Sequence, residues 1–400
     1  MNTVKKTREP LFHLIKRTNV PKWLPWVVRA TALVVAFLLI GFMSYSSMKV
    51  SPFKVYGAMF EGAFGDTYRT MRSLREVAIL LLFALAVTPA FKMKFWNIGA
   101  EGQVLMGAFA CMFCIFNWGG KINDSLLIVI CLLASLVGGA VWAVIPALFK
   151  AKWNTNETLF TLMMNYAAIQ IILYTIKAWV PNGTGVIPPS SYGNLPKIGG
   201  DNFWFSIIVA IVITVLMFIY LRFTKHGYEI NVVGESENTA RYVGINVKKV
   251  VIRTLILSGL ICGITGFLLV AGINHTVSST SAGGRGFTAI LVSWLAKFNP
   301  IFMILTSLLV VFLSKGMDEV MTQNGVTNSF FSSVVTGIVF LMIIGCEFFI
   351  NYKIVFRHRA KTEAPASPLS EEPTPTTEPV KESVEELAQE TTQADAAEEE

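Results

Sequence analysis

The chain has 400 residues, 53% of them hydrophobic and only 15% charged, with mean hydropathy +0.56. Soluble domains carry about 25% charged residues, so this composition excludes a soluble enzyme and predicts a membrane protein of many helices. The net charge of +7 conceals an acidic tail, because the stretch from Lys361 to Glu400 holds 12 acids and two lysines.

The remaining excess, about +17, falls in short loops, as the orientation preference of membrane helices requires. It is not a nucleic-acid footprint. Residues 1–23 form a basic segment with Lys5, Lys6, Arg8, Lys16, Arg17 and Lys22, and no cleavable signal peptide is evident.

A bilayer core of about 30 Å needs about 20 apolar residues as helix. About ten spans are predicted within residues 24–355. They are Trp26–Ser47, Leu74–Ala90, Ile98–Phe116, Leu126–Phe149, Leu159–Val180, Phe203–Leu221 and Thr254–Ile273, then two short ones, Phe287–Phe298 and Ile301–Ser314, and finally Phe330–Ile350. Alternate loops carry Lys92 and Lys94, Lys150 and Lys152, and the cluster Arg222 to Arg253, which places both termini in the cytoplasm. One loop disagrees, with Lys49, Lys54, Arg69, Arg72 and Arg75 on the outer side. Arg72 and Arg75 are read as part of a helix approaching the membrane.

The third span opens unusually, on FWNIGAEGQVLMGAF (Phe95–Phe109). Glycines there permit close backbone approach and a helix break. Asn97, Glu101 and Gln103 sit among them. Glu101 falls in a first helical turn, which favours negative charge, and at membrane depth it needs a partner or a cavity. It therefore either bonds a helix terminus or lines a solute path. SAGGRGFTAILVSW (Ser281–Trp294) is a second glycine-broken start, of opposite orientation. Spans two to five and seven to ten then form inverted repeats, with the path between them. Asn165, beside Tyr166, and Ser293 and Trp294 either line that path or pack helices. Glu347, late in the last span, is read as a structural pair.

Five cysteines lie in apolar runs; Cys111 and Cys114 have C-x-x-C spacing without further ligands and are read as packing residues. No phosphate-binding loop, catalytic triad or metal constellation occurs, so neither ATP hydrolysis nor a metal site is expected in this chain. The loop 223–253 is longer than a connection needs. It holds a short helix candidate, with Ser236 as N-cap and Gly244 as its stop. This helix is read as a docking surface for a partner. The outer loop Trp179–Gly200 is either a connector or a rim for a partner. Residues 356–400, rich in Pro, Thr, Ser and Glu, are expected to be a disordered tail.

NIGAEGQ (Asn97–Gln103), NETLFTLMMNY (Asn156–Tyr166), VGESENTARYVGI (Val233–Ile245) and GGRGFTAI (Gly283–Ile290) resemble the inner-membrane permease subunits of ABC importers. The class is that of simple-sugar and nucleoside permeases, related to ribose and branched-chain amino-acid permeases, and the match spans Leu24–Val355. The resemblance implies an all-α polytopic fold and a plasma-membrane location in a bacterium. It also implies a second permease subunit as heterodimer partner, a cytoplasmic ATPase that binds ATP and Mg, and an external binding lipoprotein. This chain would hold no cofactor. Coupling to the ATPase would fall on Gly234, Glu235, Glu237, Asn238, Ala240, Arg241, Tyr242, Gly244 and Ile245. The solute path would involve Asn97, Glu101, Gln103, Asn165, Tyr166, Ser293 and Trp294. NIGAEGQ with LMMNY implies a nucleoside more than a simple sugar such as a pentose. The rival readings are a secondary transporter, driven by an ion gradient, and a membrane scaffold without solute flux.

Overall fold

The computed structural model describes residues 12–17, 21, 23–180, 186–197, 202–326 and 330–356. The first basic residues, the acidic tail and the side chain of Glu347 lie outside them. The helices in chain order are α1 (Leu24–Met48), α2 (Pro52–Phe64), α3 (Thr67–Lys92), α4 (Ala100–Trp118), α5 (Asp124–Trp153), α6 (Glu157–Trp179) and α7 (Trp204–Phe223). After them come α8 (Lys225–Glu235), α9 (Glu237–Tyr242), α10 (Val247–Phe267), α11 (Arg285–Leu295), α12 (Pro300–Gln323) and α13 (Phe330–Asn351). Two short strands, β1 (Phe12–Lys16) and β2 (Tyr352–Phe356), pair with each other. Among the described residues nine helices are long and apolar enough to cross a membrane, and α11 is a shorter apolar helix.

Two elements depart from expectation. Helix α2 was not foreseen, because its 13 residues are too few to span a bilayer. Helix α12 runs to Gln323 rather than ending near Ser314. One of the charges that seemed to end it is held by a partner: Glu319 pairs with Arg69 at 3.1 Å. Arg69 also pairs with Asp66, the N-cap of α3. The guanidinium of Arg75 lies over the Phe203 ring at 4.9 Å. The basic residues that contradicted the charge rule are thus partly engaged at the start of α3.

Helix α3 is apolar all round from Val77 to Phe91 and buried throughout, the pattern of a helix enclosed by others. It packs against α2, α7, α10, α11 and α12. A second centre joins α4, α5 and α10. Its contacts are made by small residues, as membrane helices require when apolar burial alone drives no association. The backbones at Gly139 and Ser135 of α5 touch those at Gly259 and Gly263 of α10 so closely that a Cβ would collide at either glycine of α10.

The two expected repeats, α3–α6 and α10–α13, meet through two matching pairs of helices. Helix α4 runs beside α10, with Asn97 near Ser258 and Gly107 against Gly263. Helix α11 runs beside α3, with Arg285 bonded to Glu76 and Ser293 to the Ala84 carbonyl. In each half the first helix is followed by non-helical chain that turns back into the bundle, residues 93–99 and 275–284. Helix α10 reaches its turn through a π-helical stretch, Leu268–Asn274, a geometry that is rare and often functional.

The described part of the loop between α6 and α7 lies against the end of the π-helical stretch. Ser190 N–H donates to the His275 carbonyl and Leu195 N–H to that of Ala271. Gly193 N–H donates to Asp124 Oδ1 at 2.6 Å. Burial and the nearby Lys197 charge hold the His275 imidazole below its ordinary pKa.

Candidate functional site

The two turned-back segments meet at Glu101. Gly284 N–H, at the start of α11, donates to Glu101 Oε1 at 2.8 Å, and the backbone of Gly286 abuts that of Glu101. The N-termini of α4 and α11 therefore face each other, with one carboxylate between them. Two helix starts with free amides and positive dipole ends favour an anion there. The second oxygen, Oε2, is buried without a partner.

The segment before α4 is fastened from α6. Asn165 accepts from Gly102 N–H at 2.8 Å and donates to the Ile98 carbonyl at 2.9 Å. Thr161 Oγ1 accepts from Ile98 N–H. Asn97 and Gln103 close a buried ring with Ser258: Asn97 Nδ2 donates to Ser258 Oγ, Ser258 Oγ to Gln103 Oε1, and Gln103 Nε2 to Asn97 Oδ1. These three residues and Asn165 satisfy one another and the backbone, so their geometry is that of a splint. Asn165→Ala removes two buried partners and is expected to cost about 2–3 kcal/mol, read as a lowered thermal midpoint of the detergent-solubilised protein. An unchanged midpoint with lost uptake would instead give Asn165 to the solute.

Ser293 is also internal, donating to the Ala84 and Ala289 carbonyls. Trp294 stands edge-on to Trp96, with ring centroids 5.4 Å apart, near Phe91 and Phe298. Tyr166 is exposed on the outside of α6. Of the expected path residues, the structure brings together Asn97, Glu101, Gln103 and Asn165, and leaves Ser293, Trp294 and Tyr166 apart from them.

Beside the Glu101–Gly284 junction lies a cavity of about 540 Å³ between α3, α11, α12 and α13. Arg285 Nη2 and Glu76 Oε2 line it and bond each other at 2.7 Å. Lys315, Thr288, Ser314 and Thr336 supply further polar groups, and Phe287 and Phe340 supply aromatic walls. Sequence reasoning missed Glu76 and Arg285. The available signal was one acid and one base, each flanking an apolar run and each needing a partner.

Helices α8 and α9 stand at the face that carries Lys92 and Lys94. Gly234 lies against the Lys92 carbonyl, where a Cβ has no room. Lys94 Nζ donates to the Glu235 carbonyl, and Arg253 of α10 pairs with Glu229 of α8 at 2.6 Å. Ser236 Oγ caps α9 by accepting from Thr239 N–H, and Gly244 ends it at φ +82°. Ala240 is buried against the bundle, Ile245 N–H donates to its carbonyl, and Tyr242 is 92% exposed. Glu237 and Arg241 pair on the exposed side, where Asn238 also lies. The short helix is rigidly seated yet presents a protruding tip, Tyr242 and Val243.

Comparison with known proteins agrees with this architecture. The chain is 29% identical over 366 residues to the glucose ABC transporter permease protein TsgB13 of Haloferax volcanii, covering 88% of this chain and 95% of that one. It is 27% identical to the guanosine ABC transporter permease protein NupP of Bacillus subtilis, over 73% of this chain and 86% of that one. It is 26% identical to the nucleoside ABC transporter permease protein NupB of Lactococcus lactis, over 80% and 90%. The family described as branched-chain amino acid transport system, permease component, matches residues 69–344. That stretch runs from the start of α3 into α13 and takes in both repeats, so the chain belongs to this family of membrane permease components.

Proposed function

We propose that the chain is a membrane-spanning subunit of an ATP-driven ABC importer for nucleosides. The observation that carries this reading is the cavity between α3, α11, α12 and α13, with its ion pair, hydroxyls and two phenylalanines. Ribose hydroxyls would meet the polar side and a base the aromatic walls. The guanosine and nucleoside permeases among the relatives support it. The glucose permease, which matches over more of both chains, favours a sugar as the second reading.

A cytoplasmic ATPase, carrying ATP and Mg, would grip α9 at Tyr242 and Val243. Its movement would pass through α8, held to the ends of α3 and α10, as a rigid-body shift of helix packing. A second permease subunit would complete the path, and an external lipoprotein would deliver solute at the opposite face of a bacterial plasma membrane.

The test is uptake into proteoliposomes holding the chain with its partner permease, ATPase and binding protein. ATP-dependent accumulation of guanosine or uridine, not displaced by excess glucose or ribose, is expected. Glucose accumulation would favour the sugar reading, uptake by the lone chain on an ion gradient the secondary transporter, and no flux of any solute the scaffold. Tyr242→Asp is expected to cut solute-stimulated ATPase activity at least about tenfold, as loss of an exposed aromatic anchor does, while insertion is unchanged. Full stimulation in that variant would remove α9 from the coupling path.

A further inference from the structure

We propose that one anionic phospholipid occupies a built site on the face bearing α8, between α3, α7 and α12. Its phosphate would sit among Lys92, Arg222 and Lys297, and one acyl chain would lie along α7. The inference holds whichever solute the cavity takes.

The first observation is a hollow of about 310 Å³ where these helices end, lined by Lys92, Arg222, Asn231, Lys297 and Phe298 among others. It adjoins the cleft of Lys94, Trp96, Trp294, Lys297 and Phe298, sharing Lys297 and Phe298 with it. No carboxylate lines either. None of these four cations has an ion-pair partner within 4.0 Å among the described residues. So many uncompensated cations around a concave surface call for an anion.

The backbone is arranged to place them. Lys94, Lys297 and Phe298 have φ of 60°, 51° and 58°, in the left-handed region that residues other than glycine seldom adopt. Both lysines follow helix ends at this one face. Trp96 and Trp294 stand beside them, the residue type that marks the level of lipid headgroups.

The second observation selects a lipid over a free phosphate. An apolar groove of about 310 Å³ runs along α3, α7 and α12, lined by Leu74, Leu81, Ala210, Thr214, Phe218 and Ile304 among others. Phe218 lines this groove and the cationic hollow alike. A polar seat that shares a wall with a hydrocarbon-lined furrow matches a phosphodiester with an acyl chain, and basic pockets between membrane helices take such headgroups. The seat includes Asn231 of α8, so the bound lipid would join the coupling element to the bundle.

The test titrates the full chain, solubilised in a neutral detergent, with dioleoyl-phosphatidylglycerol, dioleoyl-phosphatidylcholine and inorganic phosphate, reading bound species by native mass spectrometry. Phosphatidylglycerol is expected to bind well above phosphatidylcholine. Each cation near a membrane surface contributes about fivefold, so the triple variant Lys92→Gln, Arg222→Gln, Lys297→Gln should bind it about 100-fold more weakly. Ala210→Trp fills the groove without touching charge and should weaken binding at least about tenfold. Undiminished binding by the triple variant, or equal binding of phosphatidylcholine, would overturn the site. Inorganic phosphate binding as tightly as the lipid, with Ala210→Trp silent, would make it a free-phosphate pocket and overturn the lipid.

Discussion

Replacing Gly263 by leucine is expected to prevent the bundle from assembling. At this position a Cβ would collide with the Ser135 carbonyl and lie 2.9 Å from Leu136 Cα, both backbone atoms of α5 that no rotamer change can move. The same glycine meets Gly107 of α4 and Gly139 of α5, so three helices share one contact. Overpacking a close-packed core costs about 1–3 kcal/mol per site and more where backbones must part. Alanine should therefore lower the thermal midpoint clearly, and leucine should leave little monodisperse protein on size-exclusion chromatography in detergent. A leucine variant with the wild-type midpoint would mean that α5 and α10 do not approach as described.

Breaking the Glu76–Arg285 pair should have the next largest effect, and on two readouts. The pair joins α3 of one repeat to α11 of the other, with side chains only 16% and 29% exposed. Removing one partner of a largely buried pair costs about 3 kcal/mol or more, because the other charge is left uncompensated. Partial exposure argues for the lower end here. Glu76→Gln is expected to lower the midpoint and to cut uptake at least about tenfold. The exchange Glu76→Arg with Arg285→Glu restores opposite charges and should recover part of the stability. Recovery is partial because Arg285 also donates to the Ser281 and Ala282 carbonyls, which a carboxylate cannot replace. If the pair also faces solute, uptake stays low in the exchanged protein. Full recovery of both would reduce the pair to a structural tie.

The spans were largely legible because bilayer thickness sets a length that composition must meet. Ser236 and Gly244 were legible for a local reason: a cap and a left-handed stop are decided by residue type. Helix α2 escaped because a window of one bilayer's length passes over a 13-residue helix. The end of α12 escaped because Lys315, Asp318 and Glu319 read as the close of an apolar run, and only the fold supplies Arg69 to Glu319. Asn97, Gln103 and Asn165 were singled out as path residues, but the partners they have depend on α6 and α10 arriving from about 60 and 155 residues away along the chain.

By itself, then, the sequence determined the membrane class, the order of the apolar helices, the two glycine-broken starts and the capped helix on the basic face. Those follow from local quantities: apolar length, charge and backbone freedom. Tertiary structure alone decided that the two broken starts meet head to head at Glu101, that Glu76 and Arg285 share a cavity, and that Lys92, Arg222 and Lys297 surround one hollow. Such juxtapositions arise from helices packing across the repeats, and side chains far apart in the chain carry no local mark of the neighbour they will meet.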